Sequence, residues 1–85
     1  MPYITQSRRR ELAPILNPIL DIIQACSKGD INYIITRIVA KKYAKHVYEE
    51  RSEGASVLQD AHDEYYRRVV APYEDIKREE NGDVF

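Results

Sequence analysis

Apolar residues after Asp30 recur at the spacing of one helix face, and no other feature of the sequence constrains the fold as much. These apolar positions are Ile31, Ile34, Ile35, Ile38 and Val39. Steps of three and four residues match the turn of an α-helix, whereas a half-buried strand alternates every second residue. The β-branched side chains favour a strand, but packing overrides propensity. The spacing predicts an amphipathic helix over about residues 31–51, capped by Asp30.

A first helix is predicted over about residues 18–27. Asn17-Pro18 is a helix start, because Asn caps and Pro takes the first position without losing a needed N–H. Gly29 is suited to the left-handed position that closes a helix. Residues 7–13 form at most a short helical start, which Pro14 interrupts. The two candidate caps for that short start are Thr5 and Ser7.

A third helix is predicted over about residues 56–80, after a loop at 52–54, with Ser56 as its candidate cap. Its apolar positions fall near a seven-residue repeat, which is typical of a narrow face that packs on another helix. They are Leu58, Ala61, Tyr65, Val69, Pro72 or Tyr73, and Ile76. Pro72 cannot donate to the carbonyl of Arg68, so we expect a kink there. Asn81-Gly82 ends the helix.

These segments predict an all-α protein, with residues 1–85 as one helical domain of three helices, the last long and kinked at proline. A chain of 85 residues buries only about 60–65% of its surface when it folds alone. Because the core is thin and the third helix carries a narrow apolar face, we expect an oligomeric helical bundle. The expected assembly is a homodimer or a higher symmetric oligomer.

Charge and composition bear on partners and on location. The net charge of -1 gives no global attraction to nucleic acid, so nucleic acid is not an expected partner. The charges are nevertheless separated: residues 1–10 and 31–51 each carry +3, and residues 74–85 carry -3. No apolar run is long enough for a membrane span, and the start of the sequence lacks a signal-peptide pattern. The single cysteine, Cys26, suits a reducing cytoplasm.

The sequence contains no clear arrangement of catalytic or metal-binding residues. His46 and His62 lie on different predicted helices, with no Cys or His at metal-ligand spacing. Asp60 and Glu64 are four residues apart on one helix face, but such acids are common on solvated helices. The sequence therefore predicts no enzyme, no metal and no cofactor. A Mg²⁺-dependent helical phosphohydrolase is a weaker alternative, which needs at least three carboxylates converging on one ion.

Tyrosine and arginine side chains form the strongest candidate binding site. Tyrosine combines a stacking face with a hydroxyl, and arginine offers a planar fork that matches phosphate. Together they suit a ligand that carries an aromatic base and phosphate. The candidate ligand-binding residues are Asn32, Tyr33, Thr36, Arg37, Tyr66, Arg67 and Arg68. In the alternative interpretation, Tyr65 belongs to the core, and the two adjacent arginines pair either with Glu64 or with acids across an interface.

Several stretches of the sequence resemble one family. They are MPYI at residues 1–4, GDINYIITR at 29–37, YYRRVVAPYED at 65–75 and ENGDV at 80–84. The family consists of small uncharacterised proteins encoded by tailed bacteriophages, prophages and some bacteria. It has no established activity, so the resemblance transfers no catalytic residue. It implies an accessory phage protein in the host cytoplasm, of the kind that disables or redirects host components.

Two functions of different classes are therefore expected. In the first, a homo-oligomer presents the Tyr and Arg side chains to a small anionic, nucleotide-like ligand, such as a host immune signal that it sequesters. In the second, the protein is an interaction module that grips a host or phage protein through a helical face. A large exposed apolar patch without a concave basic pocket distinguishes the second from the first.

Overall fold

A computed structural model describes residues 3–85, and the described chain is all-α, as predicted, with three helical segments and no strand. Met1 and Pro2, which carry part of the family resemblance, lie outside the described residues. The elements are α1 (Gln6–Ile22), a 3₁₀ turn (Ile23–Ala25), α2 (Lys28–Lys42), α3 (Tyr48–Tyr65), a π turn (Tyr66–Val70) and α4 (Ala71–Asn81). The third segment comprises α3, the π turn and α4. No helix in this part of the chain is both long and apolar enough to cross a membrane.

Helix α1 shows that the predicted helix over 18–27 was wrong in its bounds. It begins after Thr5, whose hydroxyl accepts the N–H of Arg8 at 3.1 Å, and it continues through Pro14 and Pro18. Both prolines are exposed, so water can reach the carbonyls that lose an N–H partner. The opposite face is apolar at four- and three-residue steps, and this periodicity continues across the prolines. Its members are Leu12, Leu16, Ile19 and Ile23.

The start of α2 corrects the predicted roles of Gly29 and Asp30. Ser27 is the cap: its hydroxyl accepts the N–H of Asp30 at 3.1 Å, and the Asp30 carboxylate accepts the N–H of Ser27 at 2.9 Å. This reciprocal pair is a capping box, which satisfies two backbone donors at once. Gly29 therefore lies inside the first turn of α2 rather than closing the preceding helix.

Charged residues mark the boundary between α2 and α3, which the prediction of one helix over 31–51 missed. Lys41 and Lys42 occupy the last turn of α2, and Glu49 and Glu50 the first turn of α3. Cations stabilise the C-terminal end of a helix dipole and anions the N-terminal end. The four side chains therefore favour an interruption, and residues 43–47 are not helical.

Gly54 is inside α3, so the predicted loop at 52–54 and the predicted cap at Ser56 were both wrong. It is the one fully buried residue among those described. A Cβ atom placed on Gly54 would lie 3.1 Å from Cγ1 of Val39 and 3.3 Å from Cδ2 of Tyr43. Glycine is needed here because α2 and α3 approach closely at this residue. The sequence prediction instead took Gly54 as a loop residue.

The π turn lies just before Pro72, where a kink was expected. The N–H of Ala71 donates to the carbonyl of Tyr66, five residues earlier, so this turn holds one residue more than an α-helical turn. Pro72 follows in the first turn of α4. Gly82 ends α4 with φ of 91°, which confirms the predicted stop at Asn81-Gly82.

The described chain divides into two compact units, residues 3–54 and residues 55–85, and a single domain over 1–85 stays a prediction. Among residues 3–85 no apolar side chain is fully buried. The best covered apolar side chains of the first unit are only half-buried. They include Leu12, Ile23, Ile31, Ile34, Val39 and Tyr43. Hydrophobic burial, the main favourable term in folding, is therefore modest within the described chain.

Candidate functional site

Four of the predicted ligand-binding residues share one face of α2, away from the isoleucines. Asn32 and Thr36 are one turn apart, and the Thr36 hydroxyl donates to Oδ1 of Asn32 at 3.3 Å. Tyr33 and Arg37 form the neighbouring pair at the same spacing. The Tyr33 side chain is 66% exposed. This face thus offers an aromatic ring and a guanidinium to solvent, with an amide and a hydroxyl beside them.

Tyr66, the fifth predicted residue, is held across the π turn. Its hydroxyl donates to both carboxylate oxygens of Glu74, at 2.9 and 3.0 Å. Its ring stacks against His62 with 6.1 Å between centroids. The hydrogen bond to Glu74 raises the pKa of the Tyr66 phenol, and the negative charge of the same carboxylate adds to that effect. Tyr66 therefore links the π turn to α4 through this hydrogen bond, and its side chain is also partly exposed to solvent.

Arg67 and Arg68 both pair with Glu64, which is one of the two pairings that the alternative interpretation of the sequence left open. Arg67 donates to Oε1 of Glu64 at 2.7 Å, and Nη1 of Arg68 lies 3.8 Å from the same oxygen. The Glu64 side chain is only 21% exposed. One carboxylate thus offsets part of the charge that an anionic ligand would use. Tyr65, by contrast, is exposed rather than part of a core.

The seven predicted residues fall into two groups on different units. The first four belong to the unit of residues 3–54, and the last three to the unit of residues 55–85. Each group lies together on its own element. That one ligand contacts both groups stays a prediction.

Metal ligands do not converge within the part of the chain that the structure describes. Among residues 3–85 no three His, Cys, Asp or Glu side chains are placed to hold a metal ion. His62 lies 3.1 Å from Asp63 instead, and that contact, with Gln59, lowers the pKa of the Asp63 carboxyl. His46 contacts Arg51 at 2.6 Å. The three carboxylates that the phosphohydrolase alternative needs are not assembled here.

A depression of about 440 Å³ lies at the C-terminal end of α4. Acids outnumber bases in its lining, and Arg78 is within 4.0 Å of both Asp75 and Asp83. Its lining residues are Glu74, Asp75, Lys77, Arg78, Gly82, Asp83, Val84 and Phe85. An anionic ligand would find no net positive charge in this depression.

An exposed apolar stripe runs along the third segment, and we call it the seam. Its members are Leu58, Ala61, Tyr65, Val69, Tyr73 and Ile76. The large side chains are exposed by between 41% at Leu58 and 63% at Tyr65. The steps along the seam are three, four, four, four and three residues. Discounting the extra residue of the π turn restores the alternation of three and four that defines a heptad.

The π turn also decides a choice that the sequence left open. Either Pro72 or Tyr73 could continue the repeat, and only Tyr73 keeps the heptad alternation once the extra residue is discounted. Sequence reasoning found the seam as a repeat. It did not find the insertion, because a π turn has no local signature in residue type.

Comparison with known families gives a match over nearly the whole chain. A family described as a domain of unknown function, DUF6899, matches residues 1–84. The chain belongs to this family. The match spans nearly the whole sequence, so the helices, the seam and both groups of candidate residues all lie within the DUF6899 domain. No curated protein and no solved structure matches the chain.

Proposed function

We propose that this DUF6899 protein is a non-enzymatic interaction protein that grips a partner helix through the seam. The observation that carries the proposal is the exposure of the whole stripe, which has its aliphatic and tyrosine side chains in heptad order. Exposed apolar surface of this extent is typical of protein-binding faces. A heptad stripe fits another amphipathic helix better than it fits a small molecule.

The polar groups beside the seam support the same choice. Arg67 and Arg68 already share Glu64, and Tyr66 already binds Glu74. A ligand that competes for these groups must first displace the charge-assisted hydrogen bonds of Tyr66 and Arg67, which are stronger than neutral ones. A partner helix on the seam leaves them in place.

Site-specific photo-crosslinking in cells tests this function. A photoreactive aromatic amino acid replaces Tyr65 in the seam, and in a matched strain it replaces Ser56, which lies outside the seam on the same helix. We expect a covalent adduct from position 65 and none from position 56, because the reactive group captures only what packs against it. Absence of any adduct at position 65, or equal adducts at both positions, would refute the proposal.

A second candidate function concerns the polar face of α2. We propose that it binds a small anionic, nucleotide-like ligand through Tyr33 and Arg37. Among residues 3–85 no carboxylate forms an ion pair with Arg37, in contrast to Arg67 and Arg68. Helix α2 also carries four bases against one acid, and that acid, Asp30, is engaged in the capping box. A base can stack on tyrosine while arginine holds phosphate.

The second candidate is tested by native mass spectrometry with a panel of nucleotides. Arg37→Ala is compared with Lys28→Ala, which removes an equal charge at the first residue of α2, more than two turns from Arg37. Binding that falls at least about tenfold in Arg37→Ala only, as loss of a charge-assisted contact predicts, supports the α2 site. A wild-type protein that stays bare with every nucleotide argues against any such ligand.

The setting of either function is also a proposal. The likeness of residues 29–37 and 65–75 to small phage and prophage proteins supports an origin in a phage genome and action in the host cytoplasm. There the seam would redirect a host or phage protein. The α2 face would sequester a signalling nucleotide of the host defence.

A further inference from the structure

We propose that the partner of the seam is a second copy of this chain, paired antiparallel through the seam about a twofold axis. This inference rests on the proposed function, because it names the partner of the same surface. A twofold pair requires a self-complementary surface, in which each contact occurs twice. The order of large and small side chains along the seam meets this requirement in one orientation.

Antiparallel pairing about the middle of the seam matches side chains by size. It places Leu58 opposite Ile76 of the second copy, Ala61 opposite Tyr73, and Tyr65 opposite Val69. The small alanine then faces a tyrosine, and the other tyrosine faces a valine, so large and small residues interdigitate as close packing demands. Parallel pairing would instead put alanine against alanine and tyrosine against tyrosine. That orientation leaves a gap in one layer and crowds two others.

Charge favours the same orientation. Residues 74–85 contain five acids and two bases, so parallel pairing would set two segments of charge -3 side by side. The helical stretch from residue 55 to Asn81 is about 40 Å long at 1.5 Å per residue. Antiparallel pairing separates the two acidic ends by about that length, several times the screening distance of about 8 Å at physiological salt. Residues 74–79 of each copy then lie beside residues 55–60 of the second copy, where Asp60 is the only charge.

The area of the seam is sufficient for a specific dimer. Its two tyrosines are each exposed by more than half, and a tyrosine side chain can bury roughly 150–250 Å². With the aliphatic members, one seam contributes on the order of 500 Å², and two copies bury on the order of 1,000 Å² in total. Specific interfaces begin near that total area, and their dissociation constants can be as weak as micromolar.

Sedimentation velocity of the full chain from about 1 to 100 µM tests the pairing. We expect a dimer that dissociates on dilution. Val69→Glu should raise the dissociation constant at least about 100-fold, because it buries an unpaired charge in each copy. Ser56→Glu, which adds the same charge outside the seam, should leave the constant within about threefold. A wild-type monomer at 100 µM, or a Val69→Glu protein that is still dimeric, overturns the proposal.

Cysteine pairing tests the orientation of the two copies. It also keeps the proposal testable if the Val69→Glu protein does not fold, because it does not use that variant. Leu58→Cys and Ile76→Cys are made separately in a Cys26→Ser background and oxidised alone and as a mixture. We expect a disulfide-linked dimer only in the mixture, because position 58 of one copy faces position 76 of the other. A dimer from each variant alone indicates parallel pairing, and no dimer under any condition removes the second copy as partner. If photo-crosslinking from Tyr65 still yields adducts with other proteins, the interaction function stands and only the self-pairing fails.

Discussion

Replacing Gly54 by alanine tests the close approach of α2 to α3. Alanine favours a helix interior over glycine by about 1 kcal/mol, so on propensity alone the change stabilises. The added methyl group would lie 3.1 Å from Cγ1 of Val39 and 3.3 and 3.5 Å from two carbons of Tyr43. Forcing one carbon into a packed contact costs about 1–3 kcal/mol. We therefore expect a net loss of about 1 kcal/mol in the free energy of unfolding.

Thermal unfolding followed by circular dichroism at 222 nm measures this loss. For a domain of this size a change of 1 kcal/mol moves Tm by about 4–8 °C, so Gly54→Ala should unfold several degrees lower than wild type. Gly29→Ala is the matched control. Its methyl group would meet only Oγ of Ser27 at 3.8 Å, an ordinary contact, so it should raise Tm or leave it unchanged.

A double-mutant cycle with Val39→Ala isolates the steric cause. Shortening Val39 removes the nearest carbon, so alanine at position 54 should then cost less, with a coupling of about 1 kcal/mol between the two sites. If Gly54→Ala stabilises as much as Gly29→Ala does, or if the cycle shows no coupling, the reasoning about a close approach is wrong.

Three further predictions follow from contacts described above. Ser27→Ala removes the cap of α2 and should cost about 1 kcal/mol in the free energy of unfolding, seen as a Tm lower by several degrees, with no change refuting the capping box. Glu74→Gln should lower the pKa of Tyr66, read from the chemical shifts of its ring carbons by NMR, which separates this tyrosine from the others. In the wild type, the hydrogen bond contributes fully to the stability of the folded state below the ordinary tyrosine pKa of 10.0, and its contribution is lost as pH rises through the raised pKa. An unaltered Tyr66 titration in Glu74→Gln would argue against the bond. Pro14→Ala restores the N–H partner of the Arg10 carbonyl and should raise the free energy of unfolding by up to about 3 kcal/mol, seen as a higher Tm. A fall in Tm would mean that α1 needs the backbone geometry that Pro14 imposes.

The sequence predicted well which segments are helical, because the spacing of apolar residues along a helix does not depend on what packs against that face. The spacing from Ile31 to Val39 identified α2, and Gly82 marked the end of α4 because positive φ favours glycine. The bounds failed where one residue type serves two purposes. Proline interrupts a helix whose carbonyls are buried, yet Pro14 lies on an exposed face. Glycine opens loops, yet Gly54 is a contact point between helices.

The candidate site was predictable in part for the same reason. Helical spacing alone put Tyr33 beside Arg37, and it put Glu64 within reach of Arg67. The bond from Tyr66 to Glu74 could not be predicted, since eight residues along a regular α-helix is more than two turns, and the π turn alters that spacing. Heptad order in the seam likewise depends on an extra residue that the composition of the turn does not reveal.

The π turn has a consequence for how the chain length can vary among relatives. It holds one residue more than an α-helical turn, and the heptad order of the seam is kept once that residue is discounted. A homologue that lacks one residue between positions 66 and 70 could form an uninterrupted α-helix with the same six seam positions in register. A gap of one residue in this turn would therefore be neutral to the seam, whereas a gap elsewhere between Leu58 and Ile76 would turn the following residues away by about 100°.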